Sequence, residues 1–288
     1  MKYYTPLRYP GGKTRLSNFM RFVFKDNNLI GEHYIEPYAG GAGVAFHLLH
    51  SGYTSHIHIN DINKPLYSFW HSVLHDTDNI CRLINDTPVD IHTWHKQKEI
   101  QNHPNENSIL KLGFSTFFLN RTNYSGIING GVIGGKNQEG TWKLDARYNK
   151  TDLISRIEKI SRYNDQISIY NLDASKFIIS VIPKLPPQSF IYFDPPYYNK
   201  GSDLYQNYYD HNDHLQISSL LKTLRQKWIV SYDNVQEIQE IYHHYRNMTY
   251  ELSYSAAEHY RGAEIMFFSD NLQIPDVENP AKVEITLC

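Results

Sequence analysis

Apolar residues along this chain come in short bursts, separated by longer stretches in which they recur every three or four positions. The bursts "HYIEPY" (33–38), "HIHIND" (56–61), "ISIYNL" (167–172), "SFIYFD" (189–194) and "KWIVSYD" (227–233) predict strands. Helical patterns near 14–25, 43–51, 175–182 and 211–226 lie between them. Such alternation predicts an α/β fold, a mainly parallel sheet with helices on both faces. Two further bursts, "MTYELSY" (248–254) and "EIMFFS" (264–269), follow each other across a loop and predict an antiparallel pair at the end of the sheet.

The rhythm breaks between about 64 and 150, where helical patterns occur with no convincing central strand. Within it, "GIINGGVIGGKNQEG" (126–140) is too rich in glycine for a helix and reads as a hairpin or mobile loop. The pattern divides the chain into a body, 1–63 with 151–288, and an inserted, mostly helical substrate-recognition subdomain, 64–150. There is no internal repeat, and the proline-bearing tail from 270 has no pattern that explains it.

Composition narrows the possibilities. A chain of 288 residues with 41% hydrophobic and 20% charged residues is that of an ordinary globular protein able to bury a full core. Apolar runs such as "FIISVI" (177–182) are too short to cross a bilayer, and "MKYYTPLRYPGGK" lacks a signal-peptide core, so the reading is cytoplasmic with no membrane partner. Cys81 and Cys288 are too few for a thiolate site, and no His-Glu-x-x-His pattern occurs, so no metal is expected. A net charge of −2 argues against indiscriminate nucleic-acid binding but leaves room for a local basic groove. The 23 tyrosines serve packing first, and their rings also suit stacking on bases.

In an open parallel sheet, ligands sit at the carboxyl ends of the strands. After the first strand, "EPYAGGAG" (36–43) brings Gly40, Gly41 and Gly43 to a helix amino terminus, where the backbone can approach a bound molecule or simply turn tightly. Asp61 ends the second, about 20 residues past the glycines, where a nucleoside-binding sheet grips ribose hydroxyls. Its plainer role is a helix cap. Asp173 follows the strand at 167–172, placed either to accept from an adenine amino group or to cap the next helix. The last of these loops is "DPPYY" (194–198): an acid between an apolar strand and two rigid prolines, which is a turn at least and a catalytic edge if the other loops hold a ligand. Two phosphate-loop look-alikes fail. "PGGKT" (10–14) has Leu7 where the first glycine belongs, and "GGVIGGK" (130–136) is followed by Asn137 in place of Ser or Thr.

"RYPGGK" (8–13), "EPYAGGAGVAF" (36–46), "NDIN" (60–63) and "DPPYY" (194–198), in this order, resemble the Dam-type family of DNA adenine-N6 methyltransferases. The similarity extends to about residue 269, with the insertion placed as in that group. It implies a Rossmann-like methyltransferase fold, S-adenosylmethionine as cofactor and double-stranded DNA as partner, with the insertion as target-recognition region and a restriction endonuclease as a possible companion. Asp194 and the Pro195 carbonyl are then expected to hold the two amine hydrogens of a flipped adenine, Pro196 to stiffen the loop, and Tyr197 to stack on the base. Tyr9, Lys13, Glu36, Tyr38, Gly40, Asp61, Asp173 and Asp194 are expected around the cofactor, Lys13 at its methionine end or holding its loop. "FFLNRTNYSGI" (117–127) looks like the family's DNA-facing segment, which implies Arg121, Asn123, Tyr124 and Lys136 as DNA contacts, with Arg121 pairing an internal acid as the alternative. The family favours Phe at Tyr38 and often a different glycine phasing, and some members have Trp at Tyr9. Cytosine-N4 methylation shares the acceptor geometry, and a non-catalytic nucleic-acid binder of the same fold is the reading from another class.

Overall fold

The computed structural model describes residues 4–8, 13–199, 209–254 and 260–284. Its sheet has seven strands: β1 (His33–Glu36), β2 (His56–Asn60), β3 (Ile167–Tyr170), β4 (Phe190–Phe193), β5 (Lys227–Asp233), β6 (Arg246–Tyr254) and β7 (Tyr260–Phe268). Their order is β3-β2-β1-β4-β5-β7-β6. β1 pairs in parallel with β2 and with β4, and β4 with β5. β7 runs antiparallel to both β5 and β6, so the predicted mainly parallel sheet with an antiparallel end pair is the one observed. All four residues of β4 are buried, as a strand covered on both faces requires of an uninterrupted apolar run.

The helices are α1 (Ser17–Asp26), α2 (Gly43–His50), α3 (Lys64–His75), α4 (Thr77–Asp86) and α5 (Ile91–Asn102). They continue as α6 (Ile109–Thr122), α7 (Lys150–Ser161), α8 (Ala174–Ser180), α9 (His211–Leu221) and α10 (Gln236–Ile241). Residues 1–12 with 63–171 form one compact unit, and 13–62 with 172–288 another.

In the first unit, α6 is the central helix, with Leu112, Phe117, Phe118 and Leu119 fully buried. It lies against α3, where Phe69 stacks on Phe117 at 5.8 Å between ring centres. Gly113 permits that approach, because a Cβ there would stand 2.5 Å from the Ser68 carbonyl oxygen. Helix starts follow side-chain chemistry: Asn63 accepts from the Leu66 amide, Asp90 from that of Thr93 and Ser108 from that of Lys111.

The second unit contains the carboxyl ends of β1, β2, β4 and β5. Strand order reverses between β1 and β4, and at such a switch point an open sheet leaves a crevice for ligands. α9 ends at Leu221 rather than near 226, where Thr223 turns its hydroxyl onto the Leu220 carbonyl at 2.7 Å. The tail from 270, unexplained by pattern, is stitched to α1 and the loop after it. Asn27 donates to the Gln273 carbonyl and accepts from the Gln273 amide, both at 2.8 Å, and Asn18 donates to the Val283 carbonyl at 2.8 Å.

Candidate active site

Asp194 leaves β4 at the switch point, and its side chain is 23% exposed. The Lys13 ammonium lies 2.8 Å from Asp194 Oδ1, and the Ser231 hydroxyl from β5 donates to the same oxygen at 3.2 Å. Ser231 is in turn bonded to the Tyr192 hydroxyl at 2.7 Å. The loop after Asp194 is fixed by Asp233 at the end of β5, whose carboxylate accepts from the Tyr198 amide at 2.9 Å and the Asn199 amide at 3.2 Å. A rigid acid with one oxygen engaged from below is the consequence.

Lys13 was expected at the methionine end of a cofactor or holding its loop, and its ammonium is buried among the residues that follow β4. It donates to the Tyr197 hydroxyl at 3.0 Å and stands 3.6 Å from Glu264 Oε1. Burial alone disfavours the charged amine, yet Asp194 and Glu264 outweigh it and raise Lys13 well above the ordinary lysine value. Tyr197, expected to stack on a base, is buried, with its hydroxyl donated to Glu264 and its ring 5.0 Å from the Lys13 ammonium. Glu264 also accepts from the Tyr250 hydroxyl. Burial pushes the Glu264 carboxyl above its usual range, while Lys13 draws it back.

Glu264 and Ser231 were missed in the sequence. Glu264 did leave a signal, an acid leading the apolar run 265–268 and on the same face as Met266 and Phe268. An acid at an inward position asks for a buried partner.

The glycine loop is tied to the second strand by its own chemistry: the Gly40 amide donates to Asp61 Oδ2 at 2.9 Å. Gly40 and Ala42 have φ of 47° and 48°, the left-handed region that the loop needs to turn into α2. A Cβ at Gly43 would lie 2.2 Å from the Thr14 hydroxyl, so the loop sits directly on the turn that carries Lys13. Glu36, 4% exposed, accepts from the Tyr34 hydroxyl at 2.8 Å, and burial with the nearby Asp194 charge raises it to about 8.

Tyr38 meets Tyr209, hydroxyl to hydroxyl, at 3.0 Å. Burial pushes the Tyr209 hydroxyl to about 12; Tyr38 opposes that shift, while the charges of Asp173, Asp213 and Asp61 add to it. Among the described residues, only Tyr38 is in contact with that hydroxyl; the three acids act on it through their charge. Asp173 also caps α8, accepting from the Ser175 and Lys176 amides through Oδ1, so both of its sequence readings remain compatible. Tyr9 lies outside the described residues.

In the other unit, Arg121 donates to the backbone carbonyls of Arg147 at 2.8 Å and Pro6 at 3.3 Å. Burial and the neighbouring Arg8 and Arg156 lower its pKa to about 10. The charge of Asp152 opposes that shift. Asn123 is fully buried, accepting from the Trp94 indole at 2.7 Å and donating to the Ile127 and Ile128 carbonyls at 2.9 Å each. Tyr124 is 56% exposed, its hydroxyl accepting from the Gly134 amide at 3.2 Å, and Lys136 is exposed. The glycine-rich stretch closes on itself through a bridge between Asn123 and Val132.

Asn120, also missed, accepts from the Arg8 amide at 2.8 Å and donates to the Arg8 and Gly126 carbonyls. Gly126 has no room for a Cβ, which would stand 2.3 Å from the Arg8 oxygen. No helix among the described residues is long and apolar enough to cross a membrane, and none of their acid, histidine and cysteine groups is arranged to hold a metal.

Residues 9–256 match the family described as D12 class N6 adenine-specific DNA methyltransferase. The chain is 26% identical over 229 residues to the Type II methyltransferase M.MjaIII of Methanocaldococcus jannaschii, covering 73% of this chain and 76% of that one. It is 23% identical over 264 residues to the Type II methyltransferase M.CviBI of Paramecium bursaria Chlorella virus NC1A, covering 86% and 90%.

Proposed function

Since the chain belongs to the D12 class N6 adenine-specific DNA methyltransferases, we propose that its Asp194 loop receives an adenine turned out of a DNA duplex and presents N6 to S-adenosylmethionine. The activity itself, methylation of adenine in DNA, follows from the family and agrees with its Type II relatives. The observation that carries the finer reading is Asp194 at the switch point, with Oδ1 held by Lys13 and Ser231.

An exocyclic amine is a weak nucleophile because its lone pair is delocalised into the ring. Asp194 Oδ2 and the Pro195 carbonyl, two acceptors on one stiff loop, would hold its two hydrogens and favour a pyramidal nitrogen. Proline suits that loop, since it fixes φ and brings no competing donor. When bound, S-adenosylmethionine supplies a methyl group on a positively charged sulfur, which departs as a neutral thioether. The amine lone pair forms the new N–C bond and the nitrogen then releases one proton. Tyr197, with its hydroxyl pinned, is a fixed wall of this site rather than a free platform.

The fit to a nucleoside rests on the groups that follow β1 and β2. Asp61 brings a carboxylate against the Gly40 amide, Tyr38 an aromatic ring held by Tyr209, and the Gly40 loop a backbone that turns closely, with the charge of Asp173 near enough to act on Tyr209. Asp61→Ala is expected to weaken S-adenosylhomocysteine binding by about 1.5–3 kcal/mol, the worth of a hydrogen bond to a charged group. Calorimetric titration reads this directly, and unchanged affinity would return Asp61 to holding Gly40 alone.

We assign target recognition to the insertion 64–150, with Tyr124 and Lys136 as the exposed candidates for DNA contact and Arg121 and Asn123 as braces of the segment that carries them. Lys136→Ala should weaken binding to all duplexes and lower the salt slope by about one unit, as loss of one phosphate contact does. Arg121→Ala should leave the slope in place and lower stability instead. A duplex-binding titration over a salt series separates the two; wild-type slope in Lys136→Ala removes it from the interface. A DNA substrate is compatible with the cytoplasmic reading, and likeness to Type II methyltransferases supports pairing with a restriction endonuclease of the same site. Single-molecule sequencing of DNA from cells expressing the enzyme identifies base and site together, and a mark on cytosine would refute the adenine assignment.

A further inference from the structure

We infer that Glu264 is a positioning residue for methyl transfer, acting through Lys13 and Tyr197 on the Asp194 carboxylate; this rests on the acceptor role proposed for Asp194. Glu264 lies on β7 opposite Asp233 of β5 and Tyr250 of β6, and is 1% exposed. Its oxygens have different partners. Oε1 accepts from the Tyr197 hydroxyl and faces the Lys13 ammonium at 3.6 Å, and Oε2 accepts from the Tyr250 hydroxyl. A carboxylate at that depth is sustained only by charge and hydrogen-bond partners, and two of them, Lys13 and Tyr197, belong to the Asp194 site.

The charges decide what the arrangement does. Lys13 stands between two carboxylates, 2.8 Å from Asp194 and 3.6 Å from Glu264. Against Asp194 alone, Lys13 would make a neutral pair, and the ammonium would draw the acceptor's charge away from an incoming amine. With Glu264 ionised the group carries a net negative charge, and its exposed end is Asp194, at 23% against 2% for Glu264. That end faces the place where positive charge develops on the methylated nitrogen, and a preorganised opposite charge in a water-poor site acts strongly there. The same geometry couples the two charges: burial pushes Glu264 up while Lys13 pulls it down, and Glu264 in turn helps to keep Lys13 charged. A brace for the tyrosine ring explains the Tyr197 contact. It does not explain an ammonium shared between two acids.

The experiment is single-turnover methyl transfer across a pH series, with DNA and S-adenosylmethionine saturating, for Glu264→Gln and Tyr250→Phe. Glu264→Gln should lower the rate roughly 10- to 100-fold, the loss that follows removal of one charged partner. DNA and S-adenosylhomocysteine affinities should stay within about twofold, since the loss falls on the transition state. The deficit of Glu264→Gln should shrink toward acid, where the raised Glu264 carboxyl of the wild type is itself neutral. Tyr250→Phe removes a hydrogen bond and no charge, so its deficit should not follow that pattern. A wild-type rate in Glu264→Gln, or a rate loss that is the same at every pH, overturns the inference. If Glu264→Gln does not fold, Glu264→Asp keeps the charge with a shorter reach, and must still lose rate at neutral pH; a wild-type rate there overturns it equally. Activity retained in Asp194→Ala would instead refute the acceptor reading on which this one stands.

Discussion

Asp194→Ala is expected to lower methyl transfer by roughly a thousandfold or more, the scale on which a preorganised group at the reacting centre acts. Asp194 lies at the end of β4 with its side chain 23% exposed, so its removal opens no hole in the core. Lys13 keeps Tyr197 and Glu264 as partners when Asp194 is gone, and the loop keeps its anchors on Asp233. The fold should therefore survive while the reaction does not. Asp194→Asn should do nearly as badly, because the amide adds a donor where two acceptors are wanted. Transfer from tritiated S-adenosylmethionine, with circular dichroism as the control for folding, measures both. Turnover near that of the wild type in either variant would remove Asp194 from the mechanism.

Lys13→Met should be the most destabilising change in the site, and its cost should depend on pH. Removing one partner of a buried ion pair leaves the other charge uncompensated, which costs about 3–5 kcal/mol. Glu264 is the residue left exposed to that cost, at 2% side-chain exposure, with Asp194 nearby. Its carboxyl is already raised from 4.5 by burial with Lys13 opposing the shift; without Lys13 it rises further. A carboxyl whose folded pKa lies above its unfolded value contributes stability that is full below the unfolded pKa and is lost as pH rises toward the folded one. The deficit of Lys13→Met relative to the wild type should thus be small near pH 5 and large near pH 8. Burial also lowers the pKa of His58 to about 3, and of His47 and His214 to about 4, so both proteins weaken in acid; the difference between them cancels that common loss. Urea unfolding at the two pH values tests it. A deficit that is the same at both would mean that Glu264 is not the group left stranded.

The sequence by itself determined the elements and the rim. Alternating bursts and helical stretches are set by short-range periodicity, which is why β5 appears at its full predicted extent, 227–233. The positions of Gly40, Asp61, Asp173 and Asp194 after their strands followed from one rule, that parallel strands direct their carboxyl ends to a common edge. What those side chains touch was not legible. Lys13 and Asp194 are brought together by the turn on which Gly43 rests, and Glu264 reaches them only because β7 inserts antiparallel beside β5. Nor does any local pattern say that Asn120 clamps Arg8 or that Arg121 is engaged by two carbonyls, since these pairs are remote in sequence and joined by packing. Periodicity reports which way a side chain faces. Partners for buried charge are chosen by tertiary structure, because a charge removed from water must find its complement wherever the fold brings one near.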